Sequence, residues 1–411
     1  MRILLHSINH APELTGIGKV NGEMVAWLTM RGHEVRVLTA PPYYPEWHIH
    51  SGYSGKRYAV ELRDGARVSR VPLWVPSKPS GSKRLAHLAS FALASLPVLL
   101  RNIFWKPDVC IVIEPALFCA PGTWLLARLS GAKAWLHVQD FEVDAAFELG
   151  LLKSARMRQL VTALETWLMA RFDRVSSIST AMVQRLGKKG VSERQRVLFP
   201  NWVDVDFIRP LEAISPYRPE LAIPEGRLVA LYSGNMGKKQ GIDIVIDTAR
   251  ALSDARDSRI HFVLCGRGVE YEELKVQAGN LPNISWLPLQ PYERLNELLN
   301  VADIHLLPQK AGAADLVMPS KLPSMLASGR PVLATADPDT EVGRAVQGCG
   351  LVVAPGDASA FRAGLEVLAS DQSLREHTGA LARQRAIEEF SRAEILLRFE
   401  MALMEVVGRS P

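Results

Sequence analysis

The chain has 411 residues, 48% of them hydrophobic and 22% charged, which supplies apolar side chain for two cores and excludes a disordered chain. Net charge is +5, but residues 1 to 205 carry +10 and residues 206 to 411 carry −5. The basic half is therefore expected to face an anionic partner, and its lack of interleaved aromatics or a known module argues against nucleic acid.

The first strand is expected at Ile3–Ile8. The apolar run in MRILLHSIN is too short for a signal peptide, so a cytoplasmic location is expected. "APELTGIGKV", residues 11 to 20, then leads into a helix at Val20–Arg31. Gly16 and Gly18 there either let backbone approach a ligand closely or serve an ordinary strand-to-helix turn. A second strand is expected at Glu34–Leu38. The apolar run Leu85–Phe104 is interrupted by His87, Pro97 and Arg101, so it is not a membrane span. Lys78, Lys83, Arg84, Arg101 and Lys106 border it, which suits either a buried core helix or a helix lying in an anionic leaflet.

Strands follow at Val109–Ile113, Ala134–His137 and Arg174–Ile178, with helices at Pro121–Leu129 and Arg156–Arg171. "LHVQDFEVD", residues 136 to 144, ends one of these strands. Its polar residues His137, Gln139, Asp140 and Glu142 are either a site of chemistry or a helix start capped by Asp140 or Asp144. Five prolines between Pro200 and Pro224 predict a linker. The expected division is residues 1–200, a linker at 201–226, a second domain at 227–390, and a final helix at 391–411 crossing back to the first domain.

The second half restarts the alternation, with strands at Val229–Tyr232, His261–Cys265, Ile284–Leu287, Ile304–Leu307, Val332–Ala334 and Leu351–Val353. Strand–helix alternation throughout predicts parallel sheets, hence an α/β protein of two doubly wound, Rossmann-like domains. Ligands bind at the carboxyl ends of such strands, and a cleft between the domains is the expected site. Three turns stand there. "SGNMGKKQGID", residues 233 to 243, joins a strand to a helix, as phosphate-holding turns do, yet matches neither G-x-x-x-x-G-K-[ST] nor G-x-G-x-x-G. "CGRG", residues 265 to 268, lets Gly266 and Gly268 approach closely, while Arg267 is a ligand group or a solvated one. "VMPSKL", residues 317 to 322, is expected to open a helix with Pro319 in its first turn, so that Ser320 and Lys321 offer N–H groups and side chains to a phosphate. Cys110, Cys119, Cys265 and Cys349 have no C-x-x-C spacing, so they are expected to be buried thiols and not metal ligands or disulfides.

TGIGK, RGHEVRVLTAPPYYP, the GN-x-G-x-K-x-G turn, MPSKL and ASGRPV, in that order, resemble the retaining glycosyltransferases of the GT-B fold, in the branch that builds bacterial capsular and exopolysaccharides. The resemblance runs from residue 1 to about 400 and is most specific at 11–45, 233–243 and 317–333. Within the branch it points to colanic acid enzymes, which implies GDP-fucose as donor, with a UDP-sugar as the alternative. It implies that Gly16 and Gly18 lie against the donor, that Gly234, Asn235, Lys238 and Lys239 contact the diphosphate with Ser320 and Lys321, that Gly266 is a donor-binding residue, and that the segment Trp286 to Pro288, with Leu287 at its centre, lies beside the base. His137 and Asp140 would face the transferred sugar or the acceptor. The family keeps an Arg where this chain has Asn235 and a Lys where it has Gln240, so Lys238 or Lys239, preferentially Lys239, must supply that charge. It also keeps two Glu seven residues apart, falling here near Leu316 and at Ser324; Asp315 replaces the first with a shift of one place, and Glu341 is a distant candidate for the second.

The implied reaction is transfer of a sugar from a nucleotide diphosphate sugar to a lipid-diphosphate-linked glycan acceptor, with retention. The cationic turns would stabilise the charge gathered on the leaving diphosphate. No cofactor is expected, and no Asp-x-Asp is placed to hold a metal. Two other readings are a sugar-nucleotide 2-epimerase, which would need acid/base carboxylates that are sparse here, and a non-catalytic nucleotide-sugar-binding subunit.

Overall fold

The computed structural model describes residues 1–409 apart from 15, 78–79, 115–116, 142, 145–154 and 311–317. The chain forms two compact units, Met1–Pro200 with Leu396–Pro411, and Asn201–Ile395.

Unit 1 is built on an eight-stranded sheet with the order β3-β4-β2-β1-β5-β6-β7-β8. The strands are β1 (Arg2–His6), β2 (Glu34–Thr39), β3 (Ala59–Arg63), β4 (Ala66–Arg70), β5 (Val109–Glu114), β6 (Lys133–Val138), β7 (Arg174–Ser177) and β8 (Arg196–Leu198). All pairs are parallel except the β3–β4 hairpin at the edge. Every residue of β5, VCIVIE, is buried, as a strand covered on both faces requires. The described helices are α1 (Gly16–Met30), α2 (Gly81–Ile103), α3 (Ala120–Ser130), α4 (Ala155–Met169) and α5 (Thr180–Lys188). Cys110 and Cys119 are buried thiols of this core.

Unit 2 is a six-stranded, fully parallel sheet, order β11-β10-β9-β12-β13-β14. Its strands are β9 (Leu228–Ser233), β10 (Ile260–Cys265), β11 (Ile284–Leu287), β12 (Ile304–Leu307), β13 (Val332–Thr335) and β14 (Gly350–Val353). Its helices are α6 (Tyr217–Glu220), α7 (Asp243–Asp254), α8 (Tyr271–Ala278), α9 (Leu295–Leu299), α10 (Leu322–Ala327), α11 (Glu341–Val346), α12 (Ala358–Ser370) and α13 (Gln372–Phe390). Helix α14 (Arg392–Val406) starts in unit 2 and continues into unit 1, where Phe399 stacks on Phe199 at 4.0 Å. Cys265 and Cys349 are buried thiols here.

The proline-rich stretch is not a free linker. Val203, Ile208, Tyr217 and Ile223 are buried in the core of unit 2. Arg383 donates to the carbonyls of Val205 and Ile208 at 2.9 and 2.8 Å, pinning the segment to α13. Proline density here marks a mostly irregular chain, with one short helix at Tyr217–Glu220, that stays in the core.

In each unit the chain leaves its first parallel strand on one side and later returns on the other. The reversal falls between β1 and β5 in unit 1, and between β9 and β12 in unit 2. Such switch points leave a crevice at the carboxyl ends of the strands.

Candidate functional site

At the switch point of unit 2 the turn after β9 lies beside the segment after β12. The N–H of Lys310 donates to the Lys239 carbonyl at 3.0 Å, which joins the two directly. On the other side the turn is laced to the one after β10. Gly234 N–H donates to the Cys265 carbonyl at 3.0 Å, and Met236 N–H to the Arg267 carbonyl at 2.8 Å. Gly266 N–H donates to the Leu287 carbonyl at 3.0 Å, tying in the end of β11. The strand ends therefore share one continuous backbone rim. It exists because a Cβ at Gly266 would stand 1.9 Å from the Gly234 carbonyl oxygen, and one at Gly268 2.2 Å from that of Met236.

The Lys321 side chain runs back to this rim. Its ammonium lies 3.9 Å from the centre of the Tyr232 ring and would be 3.6 Å from a Cβ at Gly234. Tyr232 is fixed in turn by its hydroxyl, which donates to the Asn235 carbonyl at 2.6 Å. The lysine as a whole is half-buried, but its amine is sealed off and has no hydrogen-bond partner among the described residues. Burial accordingly pushes its pKa down to about 7. A buried amine with no counter-charge among the described residues, set beside a glycine turn, has the chemistry to attract an anion.

Lys238 and Lys239 are exposed on the same turn, as are Asn235 and, near Lys321, Ser320. The helix expected from Pro319 is corrected. Leu322 N–H closes a turn onto the Pro319 carbonyl at 3.0 Å, and α10 begins only at Leu322, with Lys321 as its N-cap and Pro323 in the first turn. Ser320 and Lys321 thus precede the helix, and Lys321 contributes its side chain, not a helical N–H.

In unit 1 the stretch after β1 is organised around a residue that sequence reasoning missed. Glu13 is 2% exposed. Its Oε1 accepts the N–H groups of Tyr43 and Tyr44, both at 3.1 Å, and its Oε2 accepts from Asn9 Nδ2 at 2.9 Å. Burial raises its pKa, against the pull of those three bonds. A Cβ at Gly18 would sit 2.3 Å from Glu13 Oε2, so Gly18 clears space for this carboxylate. Gly16 takes a left-handed φ of +61° where the chain enters α1. The available signal was an acidic residue in a glycine-bearing strand-to-helix turn.

A family model described as "Glycosyl transferase 4-like domain" matches residues 15–202, and one described as "Glycosyl transferases group 1" matches residues 214–385. The chain is 43% identical over 410 residues to a protein of Escherichia coli (strain K12) that carries the name colanic acid biosynthesis glycosyl transferase WcaI, covering 97% of this chain and 98% of that one. The chain belongs to the GT-B glycosyltransferases. Solved structures agree on the fold. The sucrose-phosphate synthase of Thermosynechococcus elongatus matches with a TM-score of 0.75 at 16% identity, covering 99% of both chains. Anabaena HepE in complex with UDP matches with a TM-score of 0.71 at 14% identity, covering 98% of this chain and 100% of that one.

The remaining residues expected to act in this glycosyltransferase fall in different settings. His137, at the end of β6, is 2% exposed and shares hydrogen bonds through both ring nitrogens, with Ser176 Oγ at 2.9 Å and Gln139 Nε2 at 3.0 Å. Burial pushes its pKa down to about 3, so the ring is neutral and positions Gln139. Asp140, the next residue after Gln139, is exposed. Glu341 follows β13 at the start of α11 and is buried, 3.9 Å from Arg344. Its strand is tied to the rim, because Thr335 Oγ1 donates to the Gln309 carbonyl at 2.7 Å and accepts from its N–H at 2.6 Å. Asp315 and Leu316 lie outside the described residues, as does Glu142. Gly18→Ala is expected to cost this enzyme about 1–3 kcal/mol by overpacking against Glu13, read as a lowered midpoint in chemical denaturation. An unchanged midpoint would mean the Glu13 carboxylate is free to move.

Proposed function

We propose that this glycosyltransferase moves a sugar from a nucleotide diphosphate sugar to a lipid-diphosphate-linked glycan, with retention, in exopolysaccharide biosynthesis of the colanic acid type. The observation that carries the donor half is the buried amine of Lys321, without a hydrogen-bond partner among the described residues, against Gly234 and Tyr232. As the bond to the sugar breaks, negative charge accumulates on the leaving diphosphate. The Lys321 ammonium meets that charge from inside a dry slot, where a fixed cation stabilises more than it does in water. Lys238 and Lys239 add exposed charge on the other lip, and Gly234 and Gly266 let the diphosphate approach the backbone. The base is read as lying beside Leu287, and Glu341 as the ribose contact. His137 and Asp140 are read as facing the transferred sugar or the acceptor, and Asp315 as standing in for the first family Glu.

The 43% identity to a protein named for colanic acid biosynthesis supports the choice of product, and the sequence resemblance supports retention and GDP-fucose over a UDP-sugar. The lipid-linked acceptor and an anionic leaflet as partner are supported by α2. That helix carries no acidic residue, and only 28% of its most apolar stretch is buried. The enzyme is accordingly read as cytoplasmic and peripheral on the membrane.

The test is a panel of GDP- and UDP-sugars against lipid-linked acceptors, with the anomeric configuration of the product read by NMR. Transfer from none of them, or inversion, would sink the reading. The joint Lys238→Gln, Lys239→Gln change is expected to raise the donor KM about tenfold with kcat changed less, because exposed cations contribute modestly and are screened. Equal KM values would remove these lysines from the donor site.

A further inference from the structure

Unit 1 holds a second cationic pocket, at the β3–β4–β2 edge of its sheet. The β3–β4–β2 edge presents one face to α2. Strand alternation and register place Arg36, Arg67 and Leu62 in one row across that face, and Ser69 with Val60 in the next. Helix α2 covers the face only in part. Between them is a cavity of about 110 Å³ lined by Arg36, Arg67, Arg101, Tyr58 and Val60, among others.

The charge in this pocket is not neutralised. Arg70, which also lines it, is paired with Glu61 at 2.7 Å. The other three guanidiniums have no carboxylate partner within ion-pair distance among the described residues. Arg36 donates to the side-chain oxygen of Asn102 at 3.2 Å and lies 4.2 Å from the centre of the Trp105 ring. Arg36 and Arg67 are direct cross-strand partners, an arrangement that destabilises a sheet when both carry the same charge. Three unpaired arginines around one hole are the complement of a phosphate.

The rim says what the phosphate is attached to. Leu62 is 83% exposed on β3, and Phe104, just past the end of α2, is 87% exposed. Leu93 and Leu100 of α2 and Val60 of β3 are also largely exposed. The Tyr58 hydroxyl donates to the Ala94 carbonyl at 3.1 Å, holding the two apolar walls together. Free phosphate has no use for such walls, whereas the phosphate of a membrane lipid enters with acyl chains beside it.

We infer that this pocket takes the headgroup phosphate of an anionic phospholipid, with Arg36, Arg67 and Arg101 on the phosphate and the α2 and β3 apolar residues in the interface. The site rests on the membrane reading of α2 and deepens it from charge attraction to a built lipid site. It orients unit 1 on the leaflet through β3 as well as α2.

The test is co-sedimentation with vesicles of phosphatidylcholine alone or with phosphatidylglycerol, for wild type, the Arg67→Gln, Arg101→Gln double variant, and Leu62→Ser. Wild type is expected to bind only the anionic vesicles. The double variant is expected to lose about thirty-fold in partitioning while keeping its melting temperature and its melting shift with GDP or UDP. Leu62→Ser is expected to weaken binding several-fold. If wild type binds neither vesicle, the membrane reading of α2 falls and this site with it. If the double variant binds anionic vesicles as wild type does, α2 touches membrane and the arginine pocket is not the reason. If inorganic phosphate at millimolar concentration protects wild type but not the double variant from melting, and vesicles are ignored, the pocket is a free-anion site and the lipid assignment is overturned.

Discussion

Lys321→Met is expected to cut sugar transfer sharply and to raise the melting temperature at the same time. The two effects have one cause. The amine is buried without a partner among the described residues, and burial holds its pKa at about 7. In the unfolded chain the same group titrates near a lysine's ordinary value of 10.5. Between those values the unfolded state binds more protons than the folded one, so wild-type stability rises with pH across the window from about 7 to about 10.5. Methionine fills the slot without charge and flattens that dependence, giving a gain of a few degrees at pH 7. Turnover should fall about 10²- to 10³-fold, the scale for loss of one preorganised charge-stabilising group. A bound diphosphate returns a counter-charge to the amine and lifts its pKa, so donor binding at pH 8 takes up about one proton. Donor affinity should fall about tenfold per pH unit above 7, until the pKa of the bound form is reached. Calorimetry in buffers of different ionisation enthalpy reads the uptake. A variant with near wild-type turnover, or binding at pH 8 with no proton uptake, would detach Lys321 from the donor.

Much of the architecture was legible because hydrophobic runs of strand length cannot be hidden. β5, β10 and β12 read directly as VCIVIE, IHFVLC and IHLL. The β3–β4 hairpin was not read. AVELR and ARVSR are short, charged edge strands whose apolar residues on β3 stay exposed, so their alternation carries little contrast. The arginine pocket was therefore also out of reach, since Arg36 and Arg67 are 31 positions apart and meet only through strand register. The glycine turns were legible as turns, because glycine at a strand end implies φ > 0 or close approach. What each glycine makes room for was not. Gly18 serves a carboxylate five residues earlier, and Gly266 serves a carbonyl 32 positions away. Lys321 was read as a helix-start residue because Pro319 is a familiar opener. The helix instead opens three residues later, and the lysine's reach toward Gly234 is a long-range packing fact that no local pattern encodes.

Gly266→Ala is expected to be the most disruptive single methyl that can be added to unit 2 near the rim. The new Cβ would stand 1.9 Å from the Gly234 carbonyl oxygen, and the backbone there has a φ of +145°, which an L side chain rarely adopts. Strain at such a φ costs about 1–3 kcal/mol and overpacking another 1–3 kcal/mol. The clash is with backbone, so no side chain can swing away, and relief requires the turn after β9 to move. That turn holds the Gly234 N–H on the Cys265 carbonyl and forms one side of the Lys321 slot. A protein that survives the substitution should therefore show a lowered melting temperature, a raised donor KM and a lowered kcat together. Gly131→Ala separates this from the general cost of placing a Cβ on left-handed backbone. Gly131 caps α3 with a φ of 74°, and nothing lies within 4 Å of its Cβ position. It should cost only about 1–2 kcal/mol and leave the kinetic constants alone. If Gly266→Ala lowers stability no more than Gly131→Ala and leaves kcat and KM intact, the two turns are not braced against each other, and the rim does not set the position of Lys321.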